Sequence, residues 1–101
     1  MKHELAAPLI RALHHGAHGL TQHVVDNEDL LYPDAALLLD ISYEMRMAAI
    51  SLIPAAISAD THLASAARGL NALYEYEGVG TLRVVSMARG AVDDARSALR
   101  Q

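Results

Sequence analysis

His14 and His18 stand four residues apart in the run ALHHGAHGLTQH, residues 12–23, which holds four of the chain's six histidines. On a helix that spacing puts two imidazoles on one face, close enough to share a divalent metal ion. His3 falls on the same stripe of a helical wheel, and His15 lies about 60° from His18. A metal site needs further ligands, and the segment has no H-E-x-x-H arrangement. Imidazoles can also take up a proton, so a proton-sensitive surface is the other chemistry this run offers. Leu9, Leu13, Leu20 and Val24 centre the apolar face of this segment. His14, His15 and His18 fall well away from them, among Glu4, Arg11 and Gln22, which predicts a solvated face. His23 falls nearer the apolar edge and is expected as a hydrogen-bonded boundary residue.

A carboxylate pair is the second candidate. Asp40 and Glu44 are also four apart, and Tyr43 and His62 could join them in a cleft. Paired carboxylates bind Mg²⁺ or exchange protons with a substrate. No second acidic pair of matching spacing falls on another interior face. The sequence GVG (Gly78–Gly80) is too short for a phosphate loop and precedes no lysine, and no serine lies in a nucleophile motif. Catalysis is therefore not expected, no cofactor is implied, and Asp40 and Glu44 read as the solvated strip of their helix.

The third candidate is a helix-turn-helix in LYEYEGVGTLRVVSMAR, residues 73–89, with Arg83 and Arg89 placed to meet DNA. Gly78, Val79, Val84 and Met87 suit the turn and the packing positions. Tyr74 and Glu77 do not, because helix crossing there needs a small residue and an apolar one. Glu75, Glu77, Asp93 and Asp94 crowd the same region, so an ordinary αα-hairpin is the simpler expectation.

The elements that would position these residues are all helical. Leucine spacing predicts a first helix from about His3 to Val25, with Pro8 tolerated within the first turn or so. DNED (26–29) ends it, and LLYPD (30–34) connects, with Leu30 and Leu31 tucked against the core and Asp34 as the next N-cap. A second helix spans about Ala35 to Ile53, and Pro54 either kinks or breaks it. Asp60 or Thr61 is expected to cap a third helix running to about Glu77. The glycines then turn the chain, and Thr81 opens a fourth helix. The third helix buries Leu63, Ala66, Ala67, Leu70, Leu73 and Tyr74. The fourth buries Val84, Ala88, Ala91, Val92, Ala95 and Leu99, with Arg89 and Asp93 spaced for a surface pair.

The second helix is the unusual one. Leu38, Leu39, Ile41, Met45, Ala49, Ile50, Leu52 and Ile53 spread over more than half of its circumference, leaving Asp40, Glu44 and Ser51 as a narrow polar strip. A helix this apolar must be covered on most sides. Arg46 falls within the apolar arc, so it must reach an acid on another helix or subunit, or extend along its own stem to water.

Composition sets the class. The 101 residues are 52% hydrophobic and 20% charged, with no Phe, Trp or Cys. Ala and Leu dominate, and both favour helix. The net charge of −4 argues against a protein that coats nucleic acid. No apolar run is long enough for a signal peptide or a membrane span, which leads to the expectation of a cytoplasmic protein without membrane contact. The expected fold is all-α: one domain, residues 1–101, as a compact bundle of about four helices, paired as a homodimer. The expected function is a non-catalytic interaction or regulatory module that binds itself and another protein through helix surfaces, with Met45, Arg46, Met47 and Ile50 as contacts. The alternatives are a DNA-binding regulator using Arg83 and Arg89, and a metal or small-ligand binder using His14 and His18.

Overall fold

The computed structural model describes residues 1–73 and 82–101. Four helices run through them, α1 (His3–Asp26), α2 (Tyr32–Ser51), α3 (Ala56–Leu73) and α4 (Arg83–Leu99), and no strand occurs among the described residues. The turn at Gly78–Gly80, Thr81, and the residues Tyr74, Glu77 and Val79 lie outside the described residues.

Helix α1 ends where the acidic run begins. The Asn27 side chain donates to His23 O at 2.7 Å and so occupies a carbonyl that the helix leaves open. Gln22 Nε2 donates to Asp26 Oδ1 at 2.9 Å along the same turn. Pro8 lies in the second turn rather than the first. It is exposed, so the Glu4 carbonyl that loses its helical donor can turn to water.

Helix α2 starts earlier than the Asp34 cap predicts. Leu31, in extended conformation, is its N-cap, Pro33 occupies the first turn, and Asp34 lies inside that turn. Proline needs no N–H partner there, and an acid beside the exposed amides is favourable. Pro54 breaks the helix. Leu52–Pro54 form a turn, Ala55 N donates to Ser51 O at 2.8 Å, and α3 begins at Ala56. Asp60 and Thr61 are therefore interior to α3, and Thr61 Oγ1 donates back to Ile57 O.

Helix α1 packs on α2 and α4, and α3 packs on the same two. The few residues between α1 and α2 and between α2 and α3 make those neighbours alternate in direction. Each helix thus has two neighbours, in a bundle 42 × 22 × 19 Å. The main core joins Leu13, Ala17 and Leu20 of α1 to Leu38, Ile41, Met45, Ala48 and Ala49 of α2. Leu63, Ala66, Leu70 and Leu73 of α3 and Val85, Ala88, Ala91, Val92 and Ala95 of α4 complete it. Ala6, Leu52 and Ala59 form a small satellite at one end. In α4, Val85 takes the core position that the spacing gives to Val84, which lies at the rim.

Small residues let the helices approach closely. A Cβ placed on Gly16 would lie 2.8 Å from Met45 Cε and 3.2 Å from Ala88 Cα, so α1 meets α4 at Gly16 with the Met45 tip between them. Methionine suits that irregular gap because its chain is unbranched and flexible. On the other side of α2, a Cβ on Gly69 would lie 2.6 Å from Ile41 Cγ1.

Candidate functional site

Helix α2 carries two separate apolar series. Leu38, Ile41, Met45, Ala48 and Leu52 repeat at three and four residues, and all are buried inside the bundle. This is the face that ordinary helix packing consumes. Tyr32, Leu39, Tyr43 and Ile50 are spaced seven, four and seven residues apart. They fall within about 40° of arc, roughly 140° away from Met45. That second series is exposed, at 83% for Tyr32, 42% for Leu39, 56% for Tyr43 and 63% for Ile50. Leu31, expected against the core, is exposed beside Tyr32 at the head of the stripe. From Tyr32 to Ile50 the stripe is about 27 Å long.

The four residues expected as one contact surface separate accordingly. Met45 is 0% exposed and belongs to the core, so it can touch no partner of the folded chain. Arg46 and Met47 are half-buried, and Ile50 alone of the four stands well out. Tyr32, Leu39 and Tyr43 replace Met45 in the exposed set.

Opposite charges flank the stripe. On the α1 side, Arg46 Nη2 donates to Thr21 Oγ1 at 3.2 Å. Thr21 Oγ1 lies 2.8 Å from Ser42 Oγ, and both hydroxyls lie within reach of Ala17 O, at 3.1 and 2.9 Å. Two hydroxyl protons cannot fill all three of those contacts at once, so the two hydroxyls share them in a short chain that the Arg46 guanidinium joins. This chain satisfies Ser42, the buried polar residue of the core, and fixes how α1 and α2 register. No carboxylate lies within ion-pair distance of Arg46 among the described residues.

On the α3 side stand Asp40 and Glu44. Glu44 Oε2 lies 2.6 Å from His62 Nδ1. A carboxylate only accepts, so Nδ1 carries the proton and Nε2 is left as the ring's other nitrogen. Asp40, Tyr43 and Glu44 also line an open cleft between α2 and α3 with Ser65 and Gly69. The structure thus brings together the four residues of the acid–base candidate. Of the four, Glu44 and His62 join α2 to α3.

The α1 histidines lie as the wheel places them: His14, His15 and His18 are exposed, and His23 is half-buried, with Nδ1 3.3 Å from Asn27 Nδ2. His15, His18 and His23 edge a shallow groove floored by Gly19 and Val84. No group of three His, Asp or Glu side chains that could hold a metal occurs among the described residues. Nothing joins His14 and His18 to a third ligand there.

The two arginines of the DNA candidate differ in their surroundings. Arg83 is exposed, but Arg89 is half-buried and donates to Leu70 O at 2.9 Å and Asn71 Oδ1 at 3.1 Å. Its guanidinium joins α4 to α3. Both spacings are present in the sequence of α2, but packing against α1 and α3 decides which of them is buried. No helix among the described residues is long and apolar enough to cross a membrane. No family model matches this chain, and neither the curated proteins nor the solved structures provide a match.

Proposed function

We propose that this chain is a non-catalytic interaction module that associates with itself and with another protein through the outer face of α2. One observation carries the reading. The Tyr32–Leu39–Tyr43–Ile50 series is a second apolar face that the bundle leaves uncovered. Scattered exposed apolar residues are ordinary, but large ones aligned along one helix face between polar flanks suit a contact surface. Tyrosine suits such a place, since its ring buries well while its hydroxyl accepts either water or a partner. A regulatory role follows if occupancy of this face is what the cell reads. We assign the protein to the cytoplasm, where a domain without cysteine needs no disulfide.

Hydroxyl-radical footprinting in intact host cells tests this, with dilute purified protein as the reference. Tyr43 and Ile50 are expected to be protected in cells, while Ile57 and Met87, exposed outside the stripe, stay reactive. Equal reactivity of Tyr43 and Ile50 in both samples would overturn the reading.

A further inference from the structure

We infer that the occupant of the α2 outer face is a second copy of this chain, laid parallel to the first about a two-fold axis. This rests on the reading of that face as an interaction surface. The stripe itself carries no charge, since Tyr32, Leu39, Tyr43 and Ile50 are all neutral. Its two flanks carry opposite charge: Arg46 on the side of α1, held by Thr21, and Asp40 and Glu44 on the side of α3, with Glu44 held by His62. A surface with a neutral centre and oppositely charged edges is complementary to itself, provided that unlike edges meet.

The direction of the second helix decides which edges meet. With the two α2 helices antiparallel about a two-fold, each edge faces its own copy. Matching Tyr32 to Ile50 and Leu39 to Tyr43 centres that arrangement on Ile41. The two Asp40 carboxylates would then stand on one side, separated by only about 3 Å along the axis. Like charges so placed repel and select against the pairing. With the helices parallel, the α1 edge of each copy faces the α3 edge of the other. Arg46 is then offset along the axis by about 3 Å from Glu44 and about 9 Å from Asp40 of the second copy. This happens twice, once on each side of the stripe, as a two-fold interface requires. Tyr43 meets Tyr43 and Leu39 meets Leu39 between them. The arrangement also supplies Arg46 with the carboxylates that its own chain does not bring within ion-pair distance among the described residues.

The chain has no cysteine, so single-cysteine variants report the direction cleanly. Tyr32→Cys, Leu39→Cys and Ile50→Cys replace exposed residues of the stripe and leave the core intact. Under mild oxidation of the purified protein, Leu39→Cys and Ile50→Cys are each expected to cross-link to their own kind in most chains. A mixture of Tyr32→Cys and Ile50→Cys is expected to give no enrichment of the mixed species. Mixed Tyr32→Cys/Ile50→Cys dimers in place of Ile50→Cys homodimers would mean antiparallel pairing and would overturn the inference. Absence of any cross-link would overturn it as well. In either case, protection of Tyr43 in cells would still stand, so the failure of this inference is distinct from failure of the face as an interaction surface.

Discussion

Gly16, Gly69 and Gly90 all sit inside helices, yet a methyl group on each would meet different surroundings. At Gly90 nothing lies within 4 Å of the added carbon. Gly90→Ala should therefore stabilise the protein by about 0.5–1 kcal/mol, through helix propensity alone. Thermal melting should show this as a rise of several degrees. At Gly69 the new carbon would fall on Ile41 Cγ1, near the root of a buried side chain. Gly69→Val should cost about 1–3 kcal/mol, and urea titration should show the midpoint falling. The same contrast explains the histidine run. His14, His15 and His18 are exposed, whereas Gly16 between them is buried where α1 meets Ala88 of α4. Amphipathic spacing made the exposure of His14, His15 and His18 legible. It did not reveal the close approach at Gly16, because a glycine leaves no mark on an apolar stripe. Arg89 was misplaced for a related reason, since spacing says which face an arginine leaves from but not where a long side chain bends.

Helix α2 shows what was legible at the level of the element. Its excess of apolar residues was plain in the sequence, as was the demand that something cover them. The division into a buried three-four series and an exposed seven-four-seven series depends on which arc α1 and α3 occupy, and that is fixed by packing. This division predicts opposite outcomes for similar substitutions. Tyr43→Glu and Ile50→Glu should leave the helical circular-dichroism signal close to wild type and lower the melting temperature only by what association contributes. Met45→Glu, which buries a charge without a partner, should unfold the chain or lower its melting temperature steeply. Equal effects at Ile50 and Met45 would mean the faces are misassigned. Helix starts were less legible than helix faces. Leu31 and Leu82 serve as N-caps in extended conformation without a side-chain hydrogen bond. Capping chemistry at Asp34, Asp60 and Thr61 pointed elsewhere, because Pro33 in the first turn of α2 and the turn ending at Pro54 set where the helices begin.

At the scale of the whole molecule, the all-α class and the count of about four helices followed from composition and apolar spacing, while which helices pack together is seen only in the fold. The core is narrow, built from Leu and Ala with a few Val, Ile and Met and no Phe or Trp. Small domains of this kind bury a limited share of their surface, and covering the α2 stripe adds apolar burial without enlarging the chain. The central claim is that α2 uses one face to fold and the other to associate. Sedimentation equilibrium at micromolar concentration, on wild type and Ile50→Glu, tests it most directly. The account predicts about twice the 10.8 kDa chain mass for wild type, and the single-chain mass for Ile50→Glu with its helices intact. Wild type at the single-chain mass, or an Ile50→Glu variant that sediments like wild type, would contradict it.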